Sequence, residues 1–319
     1  MFAVQPGGAH DIDDYGLDRV LLALAGDESV PILAPGGRPA DPDLGAVDDP
    51  GLPAAPRWSM TSARVRNRTD THRRVRDAGR PGPRFTGLQG HVSPTTRWVR
   101  DLIAHGYVGE VLSSSMICSL PGGGATFTSA SAYTADAANG ATMMTIPFAH
   151  ALDMQAVALG ELTRTTATIA TLRAQAVNTD TGEAIAKTAP DQIAVTGRPP
   201  GGAVASMHFR GGALRTTPFV WEIDGTRGSL RITGDVGLPM SAALTVEGAH
   251  DQDTLSPLEL PAGYDRFPQL AGTPAHNVAH LYAEVAETLW GRDCDAPGFD
   301  HAVELHRSIE AIAYRGTGG

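Results

Sequence analysis

Gly87-Leu88-Gln89-Gly90-His91-Val92-Ser93-Pro94 is the stretch at which the chain becomes legible. Residues 85–89 are predicted to form a short strand. Ser93-Pro94 is a strong helix start, with serine as N-cap and proline at the first helical position. Trp98, Val99, Leu102 and Ile103 then recur at helical spacing as far as His105-Gly106.

Outward from this point toward the C-terminus the pattern stays regular. Residues 109–120 read as a strand and residues 121–140 as a long loop, a place where function often resides. Pro147 opens a helix predicted to run to Leu159. A strand-rich stretch follows, over 163–176, 192–196, 204–209, 219–223, 229–232 and 244–247, with a turn at 178–182. Asp224-Gly225-Thr226-Arg227-Gly228 between two of these runs is a hairpin signal. Consecutive strands without intervening helices imply an open mixed or antiparallel sheet, so the fold class is α+β with helices on one face. The end is helical again. Val278, Leu281, Tyr282, Val285 and Leu289 share one face, and Asp300 is placed to cap a last helix carrying Leu305, Ile309 and Ile312.

Toward the N-terminus the character changes. Residues 1–85 are rich in Gly, Pro, Asp and Arg, and nine arginines fall between Arg57 and Arg84 with almost no apolar periodicity. Residues 17–24 suggest a short helix and 30–33 a short strand. Three readings stay open for this region: a basic arm, a poorly ordered segment, or a segment translated out of its ancestral frame. The predicted division is therefore 1–85 and 86–319.

Composition bounds the function. The 319 residues are 42% hydrophobic, enough for a real core. A net charge of −10 argues against a general nucleic-acid or anionic-membrane binder, which needs a basic surface to displace counterions. The N-terminus has neither a basic region nor an apolar run of the secretory type, and the apolar stretch 141–160 is interrupted by His150 and Asp153. A cytoplasmic protein is expected. Two cysteines, Cys118 and Cys294, imply no disulfide framework, and neither a CxxC nor a Cys/His spacing suggests zinc. Lys187 is the single lysine; the remaining positive charge is arginine.

Several strings together resemble the C-terminal domain of the glucose-fructose oxidoreductase / inositol dehydrogenase (Gfo/Idh/MocA) family. Residues 87–94 resemble the last Rossmann strand and crossover of that family. Gly106-Tyr107-Val108-Gly109-Glu110-Val111 is similar to the entry into its C-terminal sheet, and Asp224-Gly225-Thr226-Arg227-Gly228-Ser229-Leu230 to its hairpin. Asn277 and Phe299-Asp300 resemble its closing segment. Ile146-Pro147-Phe148 before His150 is similar to the branch that includes the galactose-regulon repressors, in which the fold serves as a sensor.

The resemblance implies NAD or NADP as cofactor, a sugar, polyol or related hydroxy compound as ligand, and a homodimer or homotetramer formed through the sheet, with Phe219, Trp221 and Met207 on the shared face. It makes His150 the catalytic acid/base, since alcohol oxidation must shed a proton as well as a hydride. Thr145 falls near the position of the family's aspartate. Gln89 falls beside the cofactor cleft, Tyr133 lies in the long loop, and Asp153 sits one helical turn beyond His150; these four are the candidate ligand-binding residues. His208 alternates with apolar neighbours and reads as surface or interface. The family's Glu-Lys-Pro and Gly-rich dinucleotide motifs have no counterpart in this sequence, so cofactor-binding residues are unassigned. The expectation is a degenerate or truncated NAD(P)-dependent oxidoreductase, its Rossmann half missing or scrambled; the alternative is a non-catalytic sensor or regulatory interaction protein of the same fold.

Overall fold

The computed structural model describes residues 84–212, 217–251, 253–292 and 294–316. The expectations for a helix at 17–24, a strand at 30–33 and the arginine-rich stretch, Arg84 excepted, lie outside the described residues.

Helix α1 (Pro94–Ala104) starts as its sequence dictates. Ser93 is the N-cap, its Oγ accepting the Thr96 N–H at 3.1 Å, and Trp98 and Val99 are buried. The strand predicted before it does not form. Phe85 makes only an isolated antiparallel bridge to Gly298, and the Thr86 N–H donates to the Pro297 carbonyl. Two backbone contacts to the segment before the last helix replace a ladder among the described residues.

β1 (Val111–Leu120) is the inner strand on which the main sheet is built. The other members are β3 (Thr163–Ala170), β6 (Gln192–Arg198), β7 (Val204–Gly211), β8 (Phe219–Gly225), β9 (Gly228–Gly234), β10 (Leu244–His250) and β11 (Ser256–Leu258). Their order is β11-β10-β9-β8-β1-β7-β6-β3. The β1–β7 pair is parallel and the other pairs are antiparallel, the mixed open sheet that the strand pattern predicts. Helix α2 (Pro147–Leu159) starts and ends where expected. It packs with α1 and with α4 (Phe299–Gly316). Asp300 lies in the first turn of α4, rather than capping it. Helix α3 (Ala275–Leu289) precedes it.

Alternation along the strands decides which face is the core. Phe219, Trp221 and Ile223 on β8, Met207 and Phe209 on β7, and Met116 on β1 are all essentially inaccessible. They form one cluster with Phe148, Ala151 and Leu152 of α2. This corrects the expectation that Phe219, Trp221 and Met207 offer a subunit interface. Each such side chain gains roughly 1.5–3 kcal/mol from burial, so they belong to the helix-covered face. The opposite face carries Ile117, Val204, His208 and Glu222, which are exposed or half-exposed. A buried polar chain threads the core: Trp221 Nε1 donates to Ser114 Oγ, which donates to Gln155 Oε1 on α2, both at 2.9 Å.

Two of the strings that carried the resemblance meet in space. The β8–β9 turn docks on the Gly106–Glu110 turn, with Thr226 N–H donating to Glu110 O and Arg227 N–H to Val108 O, both at 2.9 Å. A Cβ on Gly225 would lie 2.2 Å from the Val108 carbonyl oxygen, so only glycine fits.

The strand expected over 163–176 is broken in two. After β3 the Leu172 and Arg173 N–H groups donate to the Asp191 carboxylate, each at 2.9 Å, instead of to a neighbouring strand. The chain then enters a separate three-stranded sheet of β2 (Thr126–Phe127), β4 (Gln175–Asn178) and β5 (Ala184–Ala186). Asp191 also pairs with Lys187 Nζ at 2.8 Å, and both side chains are fully enclosed. Removing one partner strands a charge away from water. Asp191→Ala is expected to lower unfolding free energy by about 3–5 kcal/mol in urea denaturation, and the double replacement Lys187→Met/Asp191→Leu by clearly less. A double variant as damaged as the single one would contradict this account.

Candidate functional site

The candidate residues converge at the start of α2. Thr145 tightens the turn before it: its Oγ1 donates to the Gly140 carbonyl at 2.7 Å and accepts the Thr142 N–H at 2.9 Å. Pro147 follows at the first helical position, and His150 lies one turn in. The His150 side chain is completely buried, and burial pushes its basicity down to about 3.

Asp153, one turn further, is 1% exposed. It gathers two histidines that sequence spacing did not connect with it. His91, in the loop before α1, places Nδ1 3.0 Å from Oδ2 and 3.1 Å from Oδ1. His301, in the first turn of α4, donates from Nε2 to Oδ1 at 2.5 Å. The two imidazoles meet edge to face with centroids 4.8 Å apart. Burial by itself would raise the Asp153 carboxyl, but the hydrogen bonds from His301 and His91 outweigh it and hold it below the usual carboxylate range. The same bond raises the basicity of His301.

The other candidates divide. Gln89 is buried two residues before His91. The adjacent Gly90 permits close approach, since a Cβ there would lie 3.0 Å from the Met154 side chain of α2. Thr145 shares a small cavity with Thr86, Leu88, Ala149, Ala302, Leu305 and His306. That cavity holds about 20 Å³, room for roughly one water and not for a sugar. Tyr133 stands apart: it is 44% exposed on a short 3-10 turn, Ala132–Ala135, that packs beside the three-stranded sheet. Its carbonyl accepts from Asn139 Nδ2. His208 is exposed on the outer sheet face, as its alternation predicted. His91 lay inside the string 87–94 and His301 just after Phe299-Asp300; no spacing rule joins residues 91, 153 and 301.

A dinucleotide needs unsatisfied N–H groups at a helix N-terminus and glycines against its phosphates. Helices α1 and α2 both begin with proline, and Ser93 already occupies the first turn of α1. The N-termini of α1 and α2 therefore do not offer a pyrophosphate site by themselves.

Comparison with known proteins agrees with this fold. The family model described as the Gal80p C-terminal domain matches residues 94–234. Those residues are similar to that domain. No curated protein matches the sequence. Among solved structures, the super-repressor mutant of Gal80p from Saccharomyces cerevisiae superposes with a TM-score of 0.68 at 22% identity, over 78% of this chain and 67% of that one. An NAD binding oxidoreductase from Klebsiella pneumoniae gives 0.60 at 18%, over 77% and 67%. Levoglucosan dehydrogenase in complex with NADH and levoglucosan gives 0.64 at 15%, over 78% and 68%. The chain thus spans about two thirds of the length of these structures. The described residues have the fold that these Gal80p and oxidoreductase structures share. Among the described residues no helix is long and apolar enough to cross a membrane.

Two titrations follow. His150 stays neutral in the folded chain well below 6.5, whereas the unfolded chain takes up the proton, so its contribution to stability is present above pH 6.5 and drains away as pH falls toward about 3. His301 acts with the opposite sign: its contribution is present below 6.5 and lost as pH rises through its raised folded value. The Asp153 contribution is lost only below the usual aspartate range. Between about pH 6.5 and pH 4, His150→Gln is expected to flatten the acid loss of stability seen in denaturant midpoints; an unchanged slope contradicts the burial account. In Asp153→Asn, the His301 imidazole should titrate at lower pH by NMR, and an unmoved or higher midpoint would show that Asp153 does not hold its proton.

Proposed function

We propose that this chain is a degenerate member of the NAD(P)-linked sugar and polyol oxidoreductases. It keeps the half of the fold that holds a hydroxylated ligand and has lost efficient hydride transfer. The supporting observation is the state of its two best candidates for proton chemistry. An acid/base group works best with a pKa near the operating pH. Complete burial takes His150 down to about 3, so it is a poor acceptor for a hydroxyl proton at neutral pH. The single lysine, Lys187, is enclosed in an ion pair with Asp191. Thr145 has no ionisable group to replace the family's aspartate and is engaged in its local turn.

In this reading buried His150, Gln89 and Asp153 and half-buried Thr145 back the wall of a ligand cleft that needs more than the roughly 20 Å³ cavity beside Thr145 to form. Asp153, held by His91 and His301, fixes α2 against the crossover and against α4. Tyr133, away from these groups, would reach a ligand only from the rim. NAD or NADP would supply the hydride acceptor when bound, through contacts beyond those the described residues offer. The chain is expected to be cytoplasmic and to associate as a homodimer or homotetramer through the outer sheet face, where Ile117 and Val204 are exposed.

A second reading, a non-catalytic sensor or regulatory interaction protein, is favoured by the match of residues 94–234 to the Gal80p C-terminal domain. A dehydrogenase screen with sugars and polyols, using NAD+ and NADP+ and paired with His150→Ala, separates the possibilities. The expected result is turnover at background in both proteins and weak NADH or NADPH binding by calorimetry. Saturable micromolar dinucleotide binding, with turnover that vanishes in the variant, overturns the loss of catalysis. A saturable polyol-induced rise in Tm without turnover supports the sensor.

A further inference from the structure

Away from α2, a second histidine–carboxylate cluster sits where α3 begins. His276 and His280 are four residues apart on α3, so their side chains leave the same face one turn apart. Both Nε2 atoms point at one oxygen, Asp265 Oδ1, at 2.8 and 3.1 Å. The Phe267 N–H donates to the same oxygen at 2.9 Å, which fixes the carboxylate from the loop side. The rings stand edge to face at 5.1 Å, and Phe267 packs edge to face on His280. The three ligand atoms lie within 4.8 Å of one another.

This is more donor convergence than one oxygen accommodates well. An sp² carboxylate oxygen has two lone pairs, and here three N–H groups are directed at it. An imidazole nitrogen that loses its proton can ligate a metal ion instead, and a helical His pair at i, i+4 is pre-spaced to share one ion. Two nitrogens and one carboxylate oxygen suit a borderline divalent cation of the zinc class, whose bonds to such ligands are about 2.0–2.2 Å. Both nitrogens already lie 2.8 and 3.1 Å from the carboxylate oxygen, so small side-chain rotations would gather the three atoms around such an ion.

The surroundings favour a fixed site. His280 is buried, whereas His276 and Asp265 each keep a narrow exposed edge, leaving one side open to water or to an entering ion. Below the cluster lie Leu270, Ala275, Ala279 and Ala283, an apolar floor that holds the loop on α3. Arg266 and Arg97, the nearby cations, are engaged by Glu284 and Glu287 on the next turns of α3.

We propose that Asp265, His276 and His280 form a binding site for a zinc-class divalent cation that clamps the loop before α3 onto the first turns of that helix. The role is structural: the ion cross-links the 265–267 loop to the helix and adds its binding free energy to folding.

The test uses tag-free, chelator-stripped full chain titrated with Zn2+ by calorimetry, followed by thermal denaturation and by Co2+ absorption in the visible. The expected result is one ion per chain, a Tm that rises with zinc concentration, and a Co2+ spectrum showing nitrogen ligation. His276→Gln, at the more exposed ligand, should weaken binding at least about tenfold and abolish the Tm rise, and Asp265→Asn should do the same. His301→Gln should leave both intact, because it alters the other cluster. Saturation only at millimolar zinc overturns the proposal, and so does binding lost in His301→Gln but kept in His276→Gln. If His276→Gln unfolds without metal, the wild-type stoichiometry and Co2+ spectrum still decide.

Discussion

Helix α2 is buried at ten of its thirteen positions, and it carries a histidine and a carboxylate into that interior. A helix enclosed all round has no solvent side on which to place charge, so Asp153 must be compensated from outside the helix. The compensation comes from the loop before α1 and from the first turn of α4. The one carboxylate therefore ties together three segments far apart in sequence, and the entry turn built by Thr145 is held in register with them. The packing of Phe148 against Phe209, rings 5.3 Å apart and edge to face, fixes the same helix on the sheet.

The chain solves its other buried-charge problems in the same way. Asp191 accepts two backbone N–H groups and the single lysine, and in doing so replaces the ladder partners that β3 loses when the chain leaves the main sheet. Asp265 accepts one backbone N–H and two imidazoles. Asp191 and Asp265 thus each pin a point where the chain passes from one element to the next. Arginine serves at the rim, as in the Arg97–Glu284 and Arg231–Glu222 pairs, where both partners keep some contact with water.

The elements with local signatures were legible in the sequence. Ser93-Pro94 and Pro147 start helices because capping and proline preference act over a few residues. The Asp224–Gly228 turn forms its hairpin because Gly225 alone tolerates the approach of Val108. What failed depended on distant partners. Residues 85–89 have strand-like composition but find only one bridge, and 163–176 looks continuous because nothing local announces that Asp191 will capture Leu172 and Arg173. Phe219, Trp221 and Met207 were placed on the wrong face because alternation gives two faces without saying which one helices will cover. The site was legible only along α2, where His150, Asp153 and Thr145 share one short segment. His91 and His301 reach Asp153 through the tertiary fold, and Tyr133 was drawn in by a loop that packs elsewhere.

The two histidine–carboxylate clusters differ in a way that separates their roles. Asp153 spreads its donors over both oxygens, and its histidines arrive from different segments of the chain. A charged carboxylate with two such partners is satisfied, and the raised basicity of His301 is what an ion pair requires. Asp265 instead receives three donors on a single oxygen, two of them from successive turns of one helix. Hydrogen bonding alone gives no reason for that crowding, because the second oxygen of a carboxylate is an equally good acceptor. A shared cation does give one, since it needs its ligand atoms gathered around a point. Fixing two of those ligands on a helix lowers the ordering cost of assembling them. The first cluster is thus accounted for by the fold it holds together, while the second has a geometry that the fold alone does not require.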